Sequence, residues 1–151
     1  MLLAAPAVDA TIEDREVSTS LSRASERGHD GIVERLLTLD KASASKYDKN
    51  RRTPLVHAAE EDHFKAVRLL LDMGRADVNF KGFYSQTALS RASKKGRKMA
   101  VMVLFGTDLV DVDSVDQWGR TPLIYTAEAG HNEVVLLLLE TGRLDVNRKD
   151  S

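Results

Sequence analysis

The sequence predicts an all-α solenoid of four stacked helix–turn–helix units joined by β-turn or hairpin fingers, because several residue columns recur at one spacing. A threonine returns at a constant interval, at Thr19, Thr53, Thr87 and Thr121. Leucines share this spacing, at Leu21, Leu55, Leu89 and Leu123. A turn residue follows it too, at Gly28, Asp62, Gly96 and Gly130. Fixed periods of this size indicate units that bury their apolar sides only against neighbouring copies.

The last repeat shows the parts of one unit most clearly. Thr121 is suited to cap a short first helix, and Pro122 fits its first turn, where no amide donor is needed. Gly130 can adopt the left-handed conformation that ends this helix. A leucine-rich second helix follows and stops at Gly142. Each unit is therefore predicted to be a pair of short helices followed by an extended connection.

Length and composition fit one folded domain and exclude several classes of function. The chain has 151 residues, of which 42% are hydrophobic and 30% charged, with a net charge of −1. This balance gives no general attraction to nucleic acid or to an anionic membrane. Cysteine is absent, which excludes disulfides, thiolate catalysis and cysteine metal sites. No apolar stretch approaches the roughly 18 to 20 residues that span a bilayer, so we expect a soluble protein without membrane contact. The absence of cysteine fits an intracellular protein, which we expect in the cytoplasm, with the nucleus as an alternative.

Tetratricopeptide repeats are about 34 residues long, so the interval also suits that family, but the order of the motifs decides against it. That family needs a Trp, Leu-Gly, Tyr, Ala and Pro pattern inside two longer helices, which is absent here. Instead, the second and fourth repeats carry Thr53-Pro54-Leu55, Asp77-Val78-Asn79, Thr121-Pro122-Leu123, Gly130-His131 and Asp145-Val146-Asn147. These motifs closely resemble the ankyrin repeat. The resemblance covers roughly residues 15 to 147, and it implies a non-enzymatic module that holds another protein.

The expected domain limits follow from the phase of the repeat. An N-terminal tail or short helix at residues 1–14 precedes the predicted repeat domain, residues 15–151. The four repeats are expected at about residues 15–47, 48–81, 82–115 and 116–149. Arg35 occupies the repeat position at which a leucine is normally buried. This suggests that repeat 1 is an N-terminal cap with one side exposed to water. Lys149-Asp150-Ser151 matches the opening of a further unit, so we expect a piece of a longer array.

No group of residues predicts an active site or a metal centre. His29, His63 and His131 occupy one column, where stacked units lie roughly 8 to 10 Å apart, too far for ligands of one zinc ion at about 2 Å. Glu60 and Glu61 are neighbours on a helix surface and point about 100° apart, unlike a catalytic carboxylate pair. We therefore expect no enzyme, cofactor, metal or small-molecule substrate.

The third repeat is unusually basic, which leaves nucleic acid binding open as an alternative function. Between Thr87 and Thr107 the chain has five basic residues and no acid, namely Arg91, Lys94, Lys95, Arg97 and Lys98. The interpretation that we favour is local neutralisation. Acids of the adjacent repeats, Glu60-Glu61 and Glu128, stand at the column of Lys94.

The resemblance implies a concave binding face formed by the finger tips and the row of first helices. Aromatic residues are only 5% of the chain, yet four of them fall in or beside the fingers. Large amphipathic rings at exposed tips dominate many protein interfaces. We expect the partner-binding residues to be Tyr47, Lys49, Asn50, Arg52, Glu60, Glu61, Lys81, Phe83, Tyr84, Gln86, Lys94, Lys95, Gln117, Trp118, Arg120 and Glu128. The alternative is that Trp118 merely packs on the neighbouring finger.

Recognition of a partner protein by a monomer is the function that these features favour. A second possibility is a structural spacer within a longer array, whose finger residues would tolerate wholesale mutation. The run from Asp116 to Leu123 and the lengthened Gly-Arg-x-Asp-Val-Asn loops are similar to ankyrin arrays in large fungal multidomain proteins of the NACHT type. That resemblance implies an array that senses or binds targets for an attached effector domain.

Overall fold

Eight α-helices make up most of the chain that this computed structural model describes, residues 13–14, 17–73 and 76–144. The first helices of the four repeats are α1 (Ser20–Glu26), α3 (Pro54–Glu60), α5 (Ala88–Lys94) and α7 (Pro122–Ala129). The second helices are α2 (Asp30–Leu39), α4 (Phe64–Asp72), α6 (Lys98–Phe105) and α8 (Asn132–Glu140). Two 3-10 turns complete these elements, at Lys41–Ser45 and Phe83–Ser85.

A threonine hydroxyl begins each first helix, as the sequence predicts. The Thr53 hydroxyl oxygen, for example, accepts a hydrogen bond from the N–H of Val56 at 3.4 Å. Thr87 forms a capping box, because its own N–H also donates to Ser90 Oγ at 2.8 Å. Such caps satisfy helix-start N–H groups that lack an intrahelical partner, and each contributes about 1 kcal/mol. The recurring threonines therefore set where each repeat begins its helices.

First helices pack on first helices and second helices on second helices, so the array has two layers. Ala58, Ala59 and Ala92 are fully buried where α3 and α5 meet their neighbours. Small side chains at these positions let the helix backbones approach closely. Ala127 is exposed, since no further first helix packs on α7 within the described residues.

Both rows of helices supply large apolar side chains to the core. One leucine of each second helix is almost completely buried, namely Leu37, Leu70, Leu104 and Leu138, and so are Leu21, Leu55, Leu89 and Tyr125 of the first helices. Apolar burial of this kind stabilises the fold by about 25 cal/mol per Å². The buried residues form one continuous cluster along the stack, so each repeat relies on its neighbours for its core. Arg35, at the leucine column of repeat 1, is exposed.

An imidazole from the next repeat covers the turn between two helices. His63 Nε2 donates to the carbonyl oxygen of Glu26 at 3.1 Å, and His131 Nε2 donates to that of Lys94 at 3.1 Å. These carbonyls lie at the end of a first helix, where acceptors have no intrahelical partner. Each histidine therefore caps the first helix of the preceding repeat.

The junction of repeats 2 and 3 uses a different pair of residues. Gly28 and Gly96 have φ values of +66° and +67°, and a Cβ at either would lie 2.5 to 2.6 Å from the covering histidine ring. Asp62 does carry a Cβ at this position, with φ of 62°. Here the next repeat supplies Arg97 in place of histidine, and its Nε donates to the Glu60 carbonyl at 2.7 Å. A turn glycine is thus paired with a histidine of the next repeat, and the turn aspartate is paired with an arginine of the next repeat.

We expect Arg97→His to lower the free energy of unfolding by about 1–3 kcal/mol, because the ring would collide with the Asp62 side chain. Adding Asp62→Gly should restore part of that loss, because it removes the side chain in the way of the ring but also the hydrogen bond that Asp62 Oδ1 accepts from the Ala100 N–H. Urea denaturation of the wild type, the two single variants and the double variant measures the coupling. Additive effects of the two changes would contradict a steric cause.

These features confirm the predicted all-α ankyrin-like solenoid, with one refinement in the fingers. They are formed by turns, and within the described residues the one isolated β-bridge pairs Glu13 with Thr19. None of the described helices has the length and apolar character needed to cross a bilayer. Residues 1–12 and 145–151, which include most of the expected tail and the expected opening of a further unit, lie outside the described residues.

Candidate functional site

A buried aspartate closes the finger of repeat 2, which comprises residues 47–53. Asp48 Oδ1 accepts hydrogen bonds from the backbone N–H groups of Asn50 and Arg52, both at 2.9 Å. Its Oδ2 accepts from the Arg52 guanidinium at 3.0 and 2.8 Å. Asp116 makes the corresponding four contacts in the finger of repeat 4, at 2.8 to 3.1 Å. Hydrogen bonds within each finger therefore fix both finger tips in the absence of a partner.

The finger of repeat 1 has a similar design. Asp14 Oδ1 accepts a hydrogen bond from the N–H of Ser18 at 3.0 Å, and Oδ2 accepts from the Arg23 guanidinium at 2.9 and 2.8 Å. Asp14 lies one repeat period before Asp48. The repeat pattern therefore extends to the last residue of the segment that the sequence analysis assigns to the tail.

A first-helix side chain lies beneath each finger. In repeat 4, the Tyr125 hydroxyl donates to Asp116 Oδ2 at 2.5 Å and accepts from Gln86 Nε2 at 2.5 Å. In repeat 2, His57 Nε2 lies 3.2 Å from Asp48 Oδ2 but is out of line for a hydrogen bond. Asp116 thus joins its finger to the helix behind it by a hydrogen bond, and Asp48 contacts the helix behind its own finger.

The electrostatics of these aspartates favour the ionised form. Burial raises the pKa of Asp48, but hydrogen bonds from the backbone and side chain of Arg52 outweigh burial and hold the pKa below its usual value. Asp116 behaves alike, with burial opposed first by the hydrogen bond from the Tyr125 hydroxyl. Burial lowers the pKa of His57, so its imidazole is neutral at pH 7. Both carboxylates are therefore ionised at pH 7.

The third finger is constructed differently. Gly82 replaces the aspartate, and a Cβ there would lie 2.6 Å from the Arg51 carbonyl oxygen. Tyr84 and Ser85 have positive φ values of 58° and 59°, a conformation that costs roughly 1–3 kcal/mol for each non-glycine residue. The Tyr84 carbonyl accepts a hydrogen bond from the N–H of Gln117 in the fourth finger at 3.0 Å. This neighbouring finger helps to hold the strained turn.

Five aromatic residues, the finger aromatics, lie in the fingers or directly beside them: Tyr47, Phe80, Phe83, Tyr84 and Trp118. The ring centroids of Tyr47 and Phe80 are 5.7 Å apart, and those of Tyr84 and Trp118 are 5.3 Å apart. Sequence reasoning missed Phe80, which it left in the connection before the finger. The stacking links rings of adjacent repeats in two groups, Tyr47 with Phe80, and Phe83 and Tyr84 with Trp118.

Arginines lie over these rings. The Arg51 guanidinium carbon is 4.7 Å from the centroid of the Tyr47 ring, and that of Arg120 is 4.6 Å from the Trp118 ring. Arg120 NH1 also lies 3.8 Å from Glu128, so this acid pairs with the fourth finger. Stacking leaves the Trp118 side chain 43% exposed. The ring therefore both packs on its neighbour and presents surface to solvent.

The predicted partner-binding residues separate by exposure. The exposed ones are Tyr47, Lys49, Asn50, Glu61, Lys81, Phe83, Tyr84, Lys94, Lys95, Gln117, Trp118 and Glu128. Arg52 and Arg120 are partly exposed, because each lies against its finger aspartate. Glu60 and Gln86 are buried, with 4% and 6% of their surface exposed.

The burial of Glu60 and Gln86 corrects the sequence analysis, which places both on the binding face. Glu60 Oε1 is 2.7 Å from Arg91 NH1, and Oε2 is 3.6 Å from Arg52 NH1. These two arginines cover the carboxylate from either side. Gln86 is enclosed beside Tyr125, to which it donates. Both side chains are covered by their neighbours in the free protein.

The basic residues of repeat 3 are largely neutralised by adjacent repeats. Lys95 Nζ lies 2.9 Å from Glu61, and its hydrogen bond holds the Glu61 pKa below the usual value. Lys98 Nζ lies 3.2 Å from Glu133. Lys94 lies 5.5 Å from the centroid of the Tyr125 ring. Four of the five basic residues, Arg91, Lys95, Arg97 and Lys98, thus lie 2.7 to 3.6 Å from a carboxylate of an adjacent repeat.

Metal-binding groups do not gather anywhere in the described part of the chain, where no three His, Cys, Asp or Glu side chains come together. His63 and His131 instead contact backbone carbonyls.

A family model described as ankyrin repeats in three copies matches residues 1–82 and again residues 75–150. The chain belongs to the ankyrin repeat family. A search of curated proteins finds no match to it. Ankyrin repeats form non-enzymatic scaffolds that generally bind other proteins. In this ankyrin array, the surface available for such binding includes the exposed finger tips.

Proposed function

We propose that this ankyrin array is a recognition module that binds a partner protein through its fingers and first helices. The observation that carries the proposal is the exposure of the finger aromatics, since Tyr47, Phe83, Tyr84 and Trp118 are 43 to 55% exposed. Exposed apolar rings beside polar groups are typical of protein-binding surfaces. A partner would gain free energy by covering them.

The way in which the rings are held supports the same proposal. Asp116 fixes the finger that carries Trp118, and the Gln117 N–H joins this finger to Tyr84. Side chains that are ordered before binding lose little conformational entropy when a partner arrives. Aromatic and arginine side chains are also the residues in which binding energy is most often concentrated. The fingers combine both residue types.

Two alternatives receive less support. A spacer segment needs no ligand, and nothing in its function would favour exposed rings on successive fingers. Nucleic acid binding needs cations that remain available to phosphates, whereas Lys95 and Lys98 lie against acids of neighbouring repeats. Protein recognition therefore accounts best for the fingers.

Site-specific photo-crosslinking tests the proposed face. A photoreactive phenylalanine at Phe83 should capture a partner from an extract of the source cells, whereas the same group at Arg68, exposed on α4, should not. The captured protein is then identified by mass spectrometry and purified for affinity measurements. Equal capture from both positions, or capture from Arg68 alone, would argue against the finger face.

With that partner in hand, we expect Trp118→Ala to weaken binding by about 1–3 kcal/mol, or roughly 5- to 150-fold. Tyr84→Ala should act in the same direction, because the two rings stack. The melting temperature should fall by less than about 5 °C, since an aromatic pair contributes about 0.5–1.5 kcal/mol. Isothermal titration calorimetry measures the affinity, and a thermal scan measures the stability.

Met102→Ala is the matched control, because Met102 on α6 and Trp118 are both 43% exposed. It should leave partner binding unchanged. A large loss of stability in Trp118→Ala with unaltered affinity would instead assign the tryptophan to packing between fingers.

A further inference from the structure

A cleft of about 280 Å³ lies between the second and third fingers. It is lined by Asn50 and Arg52 of the second finger, Phe83 and Tyr84 of the third, and Arg91 of α5. Two guanidinium groups and an amide thus face a space with two aromatic walls. A site of this composition suits a ligand with a charged end and an apolar part.

Arg91 differs from its equivalents in the neighbouring repeats. His57 and Tyr125 stand one repeat period before and after it, and both lie against the aspartate of their own finger. The third finger has Gly82 at that position, so it offers Arg91 no carboxylate. Arg91 is held through one contact, from NH1 to Glu60 Oε1 at 2.7 Å.

The charge around the cleft favours an anion. On the second and third fingers, residues 47–53 and 81–87, the exposed charged side chains are Lys49, Arg51 and Lys81, all of them cations. The one carboxylate on these two fingers, Asp48, is buried and bound to Arg52. An incoming carboxylate therefore meets positive charge on approach.

We propose that this cleft receives the aspartate or glutamate side chain of an acidic, extended segment of the partner protein. The carboxylate pairs with Arg91, and an adjacent apolar residue of the segment packs on Phe83 and Tyr84. This inference rests on the proposed function and names the chemistry of its partner. The adjacent repeats already contain such an arrangement. There, Asp48 and Asp116 place a carboxylate against the first-helix side chain that corresponds to Arg91.

A carboxylate fits these groups better than a nucleic acid does. Arg91 and Arg52 already share the buried Glu60, so the cleft can accept one further anion but not a row of phosphates. A planar guanidinium presents several donors and binds carboxylates in defined geometry. The aromatic walls offer apolar surface to the part of the ligand beside that carboxylate.

Selection from a random peptide library displayed on phage tests the proposal. The full chain is immobilised, and the enriched peptides should share an aspartate or glutamate at a fixed position beside an apolar residue. Fluorescence anisotropy of labelled synthetic copies gives their Kd. Changing the shared acid to its amide should weaken binding about tenfold or more. The same change should have little effect on binding to Arg91→Gln, because the interaction is already lost.

Asn50 provides a second test that does not disturb the buried ion pairs, since its side chain is exposed. Asn50→Asp should weaken binding of the acidic peptides roughly two- to fivefold, and Asn50→Lys should strengthen it by a similar factor. Arg68→Gln, which removes an exposed arginine from α4, is the matched control and should have no effect. Opposite responses at one position report charge in the cleft rather than stability.

The outcomes separate this inference from the proposed function. Enriched peptides that require Phe83 but show no acid preference, or no response to the Asn50 variants, would overturn the acidic ligand and leave the finger face intact. Failure to enrich any peptide that depends on Phe83 would overturn the acidic ligand, while crosslinking at Phe83 tests the face independently. Salt-sensitive binding of a single-stranded oligonucleotide that Arg91→Gln abolishes would assign the cleft to nucleic acid instead.

Discussion

Gly96→Ala is expected to lower the free energy of unfolding by about 2–4 kcal/mol. The residue has a φ of +67°, and a Cβ there would lie 2.6 Å from Nδ1 of His131. A left-handed alanine costs roughly 1 kcal/mol or more, and forcing the ring away costs roughly 1–3 kcal/mol further. Moving the ring also disturbs its hydrogen bond to the Lys94 carbonyl. Guanidinium denaturation, followed by circular dichroism, measures the loss.

The array supplies a matched control for this effect. Gly130 has a φ of +73°, but a Cβ there would meet nothing within 4 Å. Gly130→Ala should therefore show the backbone cost alone, about 1 kcal/mol. Gly28→Ala should behave like Gly96→Ala, because its Cβ would lie 2.5 Å from His63. Equal losses at Gly96 and Gly130 would show that the covering histidine contributes nothing.

Asp116→Asn is expected to destabilise the array by about 2–4 kcal/mol at pH 7. The carboxylate accepts from two backbone N–H groups, from Arg120 and from Tyr125. An asparagine that keeps its oxygen towards the backbone would turn its NH2 group towards the Arg120 and Tyr125 donors. Removing one member of a buried ion pair costs about 3–5 kcal/mol. The loss should be somewhat smaller here, because the Arg120 side chain is 24% exposed.

The same substitution has a pH signature. In the folded chain, the pKa of Asp116 lies below the usual aspartate value of 3.8. Its ionised form therefore stabilises the fold fully above about pH 4. This contribution is lost as the pH falls through the unfolded pKa and then the folded pKa. The difference between wild type and Asp116→Asn should therefore shrink between pH 7 and about pH 3.

Denaturant titrations at both pH values measure that difference. Asp72→Asn is the control, because Asp72 is exposed at the end of α4. It should change stability by less than about 0.5 kcal/mol at pH 7. A difference for Asp116→Asn that stays constant with pH would show that the charge of Asp116 is not what stabilises the finger.

The sequence predicts the helix pairs well because their signals are local. Thr53 and Thr121 cap the helices that follow them, and Gly130 ends its helix in the left-handed conformation, as the repeat spacing indicates. Capping, turn formation and apolar patterning each depend on a few consecutive residues. The phase of the repeat then follows without knowledge of how the units pack.

The burial of individual side chains on the candidate site could not be read in the same way. Glu60 shares a column with the exposed Lys94 and Glu128, yet it is buried because Arg52 and Arg91 close over it. The position in the repeat fixes the direction of a side chain but not whether neighbouring side chains cover it. The exposure of equivalent residues must therefore be judged separately in each repeat.

The conformation of the third finger had no sequence signal either. A tyrosine has no preference for positive φ, yet Tyr84 adopts φ of 58°. The cause is tertiary, since its carbonyl meets the N–H of Gln117 in the next finger. Phe80 belongs to the finger aromatics for a similar, tertiary reason, because it stacks on Tyr47 of the preceding repeat.

The histidine contacts give the array a direction. His63 and His131 both reach back to a carbonyl of the repeat before them, so the donor always belongs to the later unit. When two units separate, water can bond both the carbonyl and the imidazole N–H, so these contacts favour neither end. Their consequence is that the two sides of a unit are not interchangeable: the earlier unit presents the acceptor, and the later one presents the donor.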